Sequence, residues 1–248
     1  FYGAPLIGER TIYGTLPANR SAFYVKADIY NPPFLLAQRL CNELKSNGIQ
    51  VDGKPDVMWK KEKGARMRVA IHVIESPALS EIVSDINHRS NNHYAEHVYR
   101  YMGSKQGEGT DTDAGANVIK SYWKSRGLDT EGLLQFDGCG LSTMNAITAD
   151  FLVSLLIYEK NKAKYSDEFY ESLPVAGVNG TVKKLLKGTK LEGKVHAKSG
   201  SISRTQCYAG YIEWKGETYA FAVMVNNFSG ARNSVLKAIE NVLLSVAN

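Results

Sequence analysis

Two short islands of this 248-residue chain carry side chains suited to proton transfer and to holding a carboxylate: Ser90-Asn91-Asn92 and Lys198-Ser199-Gly200. On a strand, Lys198 places a positive charge at a cleft, where it depresses neighbouring pKa values and attracts a carboxylate. The Ser199 hydroxyl hydrogen-bonds that carboxylate. Gly200 lets a ligand backbone lie against the strand edge, and the Ser201 amide is then placed to donate to an oxyanion. In the first island, Ser90 relays a proton or holds one in a hydrogen-bonded chain, while the Asn92 amide orients the lysine network and a substrate amide. The plainer alternative is that Ser90 caps the helix beginning near Asn92.

A second constellation overlaps the first. His93-Tyr94-Ala95-Glu96-His97 matches the H-x-x-E-H pattern, in which two histidines four apart on a helix bind zinc and the intervening glutamate activates water. A third ligand would have to come from Glu108 or Asp111, both in a Gly-rich loop. His72 and His88 read as structural or solvated, and His196, two residues before Lys198, as a supporting residue.

The elements that must position these groups follow from periodicity. Residues 1 to about 30 read as short strands of a β-rich piece. Asn31-Pro32-Pro33 opens a helix with Leu35, Leu36, Leu40 and Leu44 on one face, closed by Asn47-Gly48. Arg66 to Glu75 alternates as a strand. Helices are predicted from Ser76-Pro77 to Ile86, from His93 to Met102, from Ala114 to Arg126 and from Ala149 to Glu159, with a polar break over 87–92. Three strands, Val195–Ser201, Gln206–Trp214 and Thr218–Asn226, precede a closing helix from Ala231 to Val246. Lys215-Gly216-Glu217 turns the last hairpin. Helices in the middle and a terminal antiparallel meander give an α+β class.

Bulk properties bound the function. Net charge is +5, from 30 basic and 25 acidic residues, and the densest basic stretch, Lys183 to Lys194, is interleaved with Leu185, Leu186 and glycines. That is a solvated helix end and turn, so no nucleic-acid partner is expected. The 3 cysteines, Cys41, Cys139 and Cys207, form neither a disulfide framework nor a zinc pattern. No apolar run reaches the roughly 18 residues needed for a transmembrane helix.

The islands and their context resemble one family. S-x-N followed by K-[TS]-G are motifs of penicillin-binding serine acyl-transfer enzymes. Ser90-Asn91-Asn92-His93-Tyr94-Ala95-Glu96, Asp137-Gly138-Cys139-Gly140-Leu141-Ser142 and His196-Ala197-Lys198-Ser199-Gly200-Ser201-Ile202-Ser203, in that order, are similar to S-[ND]-N-x-x-A-E, D-G-S-G-L-S and H-x-K-T-G-S-x-S. These belong to the D-alanyl-D-alanine carboxypeptidase/endopeptidase family of class C low-molecular-mass penicillin-binding proteins (peptidase family S13). Ser199 replaces the usual Thr, and Cys139 replaces the usual Ser with an expected structural role.

The resemblance implies a penicillin-binding-protein/β-lactamase-like transpeptidase domain over 31–248, incomplete, preceded by the tail of an inserted β-rich region over 1–30. It implies acyl-enzyme hydrolysis of peptidoglycan stem peptides, β-lactams as covalent inhibitors of the intact enzyme, no cofactor or metal, and a periplasmic or cell-envelope location. Ser90, Asn92 and Lys198 would be catalytic, and Ser199, Gly200 and Ser201 would bind substrate.

The S-x-x-K motif with the nucleophile should precede both islands, and no suitable copy does. Ser121-Tyr122-Trp123-Lys124 falls in the wrong order with an aromatic pair suited to core packing, and Ser234-Val235-Leu236-Lys237 reads as ordinary helix-start sequence. The expectation is a C-terminal portion, inactive alone, whose nucleophile lies in a missing N-terminal portion. A zinc hydrolase using His93, Glu96 and His97, or a non-catalytic muropeptide-binding module, are the alternatives.

Overall fold

A computed structural model describes residues 7–16, 18–24, 27–59, 69, 70, 72–107 and 109–247. The chain divides into two compact units, Phe1–Val73 and Ile74–Asn248.

In the first unit, α1 spans Pro32–Ser46, with two prolines in its first turn and the Asn31 side chain accepting the Phe34 amide at 3.2 Å. Pro lacks the amide hydrogen that this turn leaves unpaired anyway, so Asn-Pro-Pro is a strong start signal. The expected apolar face is not a buried one. Leu36 and Leu40 are exposed, and no residue of α1 is buried. The β-rich reading of 1–30 also finds no support in the described residues, which hold no strand and only a single bridge at Thr11. Of the strand expected at 66–75, residues 66–68 and 71 lie outside the described set, and 69, 70 and 72–75 are unpaired. Alternation alone fixes no strand without a partner edge.

The second unit begins with α2 (Leu79–Arg89), α3 (Asn92–Lys105) and α4 (Thr112–Lys124). The polar stretch 87–92 breaks the chain later than expected, because α2 runs through Asn87, His88 and Arg89. Two Asx caps set the next starts. The side chains of Asn91 and Asp111 accept the amides of Tyr94 at 3.2 Å and Ala114 at 2.8 Å. Next come α5 (Ala149–Lys162), capped by Thr148, then α6 (Ser166–Ser172) and a 3-10 turn at Gly180–Val182. The last two elements lack a long apolar period and were not anticipated.

The terminal meander is antiparallel in the order β1 (Val195–Ile202), β2 (Thr205–Trp214) and β3 (Glu217–Asn226). Lys215 and Gly216 both adopt positive φ, 52° and 86°, the two-residue hairpin geometry that matches strand twist. Alternation then assigns the two faces. Val195, Ala197, Tyr208 and Ile212 join Ile239 and Leu243 of α7 (Arg232–Ser245) and Leu185, Leu186 and Leu191 in the main core. Ala209, Tyr211 and Ala220 meet Leu156 and Leu173 from the α5–α6 side. Each fully buried Leu or Ile contributes about 1.5–3 kcal/mol, so β2 is packed on both faces, and β1 is anchored on its α7 face by buried Val195 and Ala197 while its later residues are more open.

Candidate active site

Ser90 closes α2 in the left-handed conformation, φ 53° and ψ 53°, a region that favours glycine. This single residue turns the chain from α2 into α3. Asn91, not Ser90, caps α3, and its Nδ2 donates to Asp85 Oδ2 at 2.7 Å, while Arg89 pairs with the other Asp85 oxygen at 3.1 Å. The elbow is braced from both sides, and the Ser90 hydroxyl is left for another partner.

That partner is Lys198. Its Nζ donates to Ser90 Oγ at 2.9 Å, a contact between residues 108 apart in sequence, and to the Ser199 carbonyl at 2.7 Å. Lys198 is half-buried and burial lowers its pKa, since desolvation disfavours the charged form. Both of its hydrogen-bond acceptors are neutral, so the lysine is positioned to exchange a proton as well as to carry charge.

The edge of β1 is covered at one end and open at the other. Ala197 N–H donates to Pro174 O at 3.0 Å, and Ala176 N–H donates to Val195 O at 2.8 Å. Strand hydrogen bonding alternates, so the amides of Ser199 and Ser201 point the same way as that of Ala197, beyond the covered stretch. A peptide laid along this edge meets the Ser201 N–H.

Ser199 Oγ donates to Thr181 Oγ1 at 2.7 Å, across from the 3-10 turn. Gly180 makes this approach possible. Its φ is +55°, and a Cβ there would sit 2.5 Å from Pro174 Cβ and 3.1 Å from the His88 carbonyl. The turn therefore lies directly against the end of α2, two residues before Ser90. Thr181 and Gly180 carry no motif signal that sequence reasoning recognised.

Asn92, expected to align lysine and substrate, is exposed in the first turn of α3 and makes no side-chain hydrogen bond among the described residues. Gly200 is exposed, with Cys207 Cβ at 3.8 Å from where its own Cβ would be. The His196 ring stacks on Tyr170 at 4.3 Å, its buried Nδ1 lacks a partner, and burial lowers its pKa.

The zinc alternative lacks a ligand set among the described residues. The His93 and His97 rings lie 4.3 Å apart, and the His97 Nδ1 contact to the His93 carbonyl at 2.8 Å leaves Nε2 open, but no third His, Cys, Asp or Glu of the described residues groups with them. Glu96 is turned away, accepting from Arg100 Nε at 2.7 Å and from the Gly138 amide at 2.7 Å, so it is no water-activating base. Asp111 is a helix cap. Glu108 lies outside the described residues. Glu96 instead anchors the Asp137-Gly138-Cys139-Gly140 loop, where a Cβ on Gly138 would meet Tyr99 Cβ at 2.3 Å. Asp137 accepts the amides of Gly140 and Ser142 at 2.7 and 2.6 Å and Asn145 Nδ2 at 2.9 Å. Glu96, Asp137 and Cys139 lie together, but both carboxylates are occupied by these donors. Burial raises the Cys139 pKa, keeping it a thiol.

The model of the D-Ala-D-Ala carboxypeptidase 3 (S13) family matches residues 8–247. The chain belongs to that family. It is 32% identical over 232 residues to a D-alanyl-D-alanine carboxypeptidase of Actinomadura sp. (strain R39), covering 90% of this chain and 43% of that protein. It is 26% identical over 200 residues to carboxypeptidase DacB of Mycolicibacterium smegmatis, covering 77% and 43%. Penicillin binding protein 4 (dacB) from Haemophilus influenzae, solved with a novel β-lactam, superposes with a TM-score of 0.72 at 23% identity, over 84% of this chain and 49% of that one. The fold is thus of the penicillin-binding-protein type, α+β with an antiparallel sheet flanked by helices. The S13 chain spans less than half the length of these curated relatives, 43% in both cases.

Neither literal S-x-x-K copy in this S13 chain resembles a nucleophile. Trp123 is buried with Leu133 and Phe151, and Tyr122 lies under Arg126, so the first is core and surface stacking. Ser234 and Lys237 are exposed on α7.

Proposed function

We propose that this chain forms the substrate-holding half of a serine-type D-Ala-D-Ala carboxypeptidase/endopeptidase, acting on peptidoglycan stem peptides through an acyl-enzyme. The observation that carries the reading is the 2.9 Å hydrogen bond between Lys198 and Ser90, which joins the two islands into one wall. A serine outside this chain, in a preceding portion of the protein, attacks the carbonyl between the two D-alanines, with its partner lysine as base. Ser201 N–H receives the developing oxyanion. Because Lys198 donates to Ser90 Oγ, the Ser90 hydroxyl hydrogen is free to move toward the leaving amine, and Lys198 can replace it. Asn92 and Gly200 line the substrate path, and Ser199 holds the terminal carboxylate. In this reading 31–248 is the C-terminal part of the peptidase domain and 1–30 the end of an insertion. The protein works in the periplasm or cell envelope, where β-lactams acylate the intact enzyme.

The test uses a fluorescent penicillin and a D-alanine release assay on two proteins: this chain alone, and a longer form carrying its upstream serine. The longer form should be labelled and should release D-alanine, while the 248-residue chain should do neither. Labelling that maps to a serine within residues 1–248 overturns the division of the site. A longer form that binds muropeptides with neither labelling nor D-alanine release makes the protein a non-catalytic binding module.

A further inference from the structure

Lys198 and Ser199 leave β1 on opposite faces, and only the Lys198 face is used by the Ser90 contact. On the other face a groove of about 400 Å³ is lined by Thr181, Ser199, Ser201, Gln206, Tyr208 and Arg232, among others. Register explains the set. Ser199 pairs with Tyr208 and Ser201 with Gln206 across β1–β2, so all four side chains share the α7 face, and Arg232 in the first turn of α7 lines the same groove.

The groove is built for an anion. Arg232 Nε donates to Gln206 Oε1 at 3.0 Å, and Nη2 donates to the same oxygen. Gln206 is only 2% exposed, so this neutral buried amide fixes the guanidinium plane without cancelling its charge. A guanidinium has five N–H donors, and the two bonds leave the rest of the fork for a ligand. No carboxylate among the described residues pairs with Arg232. Glu240, the one acidic residue lining the groove, accepts the Leu186 amide at 2.7 Å. Lys183 and Lys184 add positive charge to the same rim.

The chemistry of the site also needs a second cation. Lys198 is desolvated with a lowered pKa and bonded to Ser90. A group that gives up a proton during turnover is a poor permanent counter-ion for a carboxylate, whereas arginine stays charged throughout. In the Ser199–Thr181 hydroxyl pair one hydrogen bridges the two oxygens, leaving the other free for a ligand oxygen.

We propose that Arg232 is a specificity-determining residue of this site, taking the C-terminal carboxylate of the stem peptide together with the Ser199–Thr181 hydroxyl pair and Ser201. This rests on the peptidase reading above. It divides the work: Lys198 moves protons on one face of β1, and Arg232 selects a free carboxylate on the other.

The experiment uses the protein carrying this chain with its nucleophilic serine, and one peptide ending in D-Ala-D-Ala as the free carboxylate or as the C-terminal amide. D-alanine or D-alaninamide release gives kcat/KM for each. Arg232→Gln should lower kcat/KM for the carboxylate by about tenfold or more, the scale of one charge-assisted bidentate contact, with little change for the amide. Arg232→Lys should recover part of the loss. The exposed Lys187→Gln, outside the groove, controls for a general charge effect. An equal fall on both peptides marks a structural role and overturns the assignment, as does an unchanged carboxylate-to-amide ratio in Arg232→Gln. If the unsubstituted protein releases no D-alanine, the peptidase reading falls and this assignment with it.

Discussion

Replacing Ser90 separates backbone strain from hydroxyl chemistry at one position. Ser90 sits at φ 53° and ψ 53°, and its Oγ accepts from Lys198 at 2.9 Å. Ser90→Ala keeps the strain and loses the hydrogen bond. Hydrogen bonds to charged groups contribute about 1.5–3 kcal/mol, but Ser90 is exposed and water replaces much of the loss, so about 1 kcal/mol is expected. Ser90→Gly loses the same bond but relieves about 1–2 kcal/mol of left-handed strain, against about 0.5–1 kcal/mol of extra unfolded-chain entropy. The glycine variant should therefore be about 0.5–1 kcal/mol more stable than the alanine variant. Urea unfolding followed by tryptophan fluorescence reads this as a midpoint shift of about 0.3 M, at an m-value near 2–3 kcal/mol/M. In the longer form, under the proposed function, both variants should lose D-alanine release to the same extent, because both lack the hydroxyl. An alanine variant as stable as the glycine variant would refute the strain argument. An alanine variant that keeps its activity would refute the proton role of Ser90.

Three further outcomes follow from the same geometry. Lys198→Met should stabilise the chain at pH 7, because burial lowers the folded pKa of Lys198 below 10.5. The folded state then binds fewer protons than the unfolded state between the two pKa values, so wild-type stability rises with pH there and the gap to Lys198→Met should narrow toward pH 10; urea midpoints at pH 7 and pH 10 check it. Gly180→Ala combines positive φ with a Cβ 2.5 Å from Pro174 Cβ, and should cost about 2–5 kcal/mol in the same unfolding assay. Cys139→Ser should change stability by less than about 1 kcal/mol, and the native thiol, its pKa raised by burial, should react slowly with a thiol reagent at neutral pH and faster as pH rises.

How far the sequence revealed the molecule depends on the range of the interaction that decides each feature. Elements fixed by local chemistry were legible. The three strands and α7 start and stop within one or two residues of expectation, because alternation, a Lys-Gly turn and a 3.6-residue period are written locally. The islands were legible for the same reason, each being a short run of chemically telling residues. Features decided by distant partners were not. Nothing near His93-x-x-Glu96-His97 says that Glu96 will spend both oxygens on Arg100 and on Gly138, 42 residues away. Leu36 and Leu40 have the right spacing for burial, but among the described residues nothing covers them. The α2 boundary was misplaced because Asn87, His88 and Arg89 read as a polar break, whereas Asn87 reaches Ser172 on α6 at 2.8 Å.

The same distinction explains why the site takes the shape it does. In the proposed site, a lysine that changes protonation and a cation that keeps its charge would be in conflict if they shared one environment, since the desolvation that lowers the first pKa also raises the cost of the second charge. A β-strand resolves the conflict with its period of two. Lys198 and Ser199 are adjacent in sequence yet face opposite sides of the sheet, the desolvated Lys198 amine toward Ser90 at the α2–α3 elbow and Ser199 toward the open groove lined by Arg232. Each face is then completed by an element far away in the chain, Ser90 on one side, Thr181 and Arg232 on the other. Only Ser90 lies in a recognisable motif, because the αL elbow ties its role to its immediate neighbours. Thr181 and Arg232 carry no such local signal, and it takes the folded sheet to bring them beside β1, where the proposed roles rest on position alone.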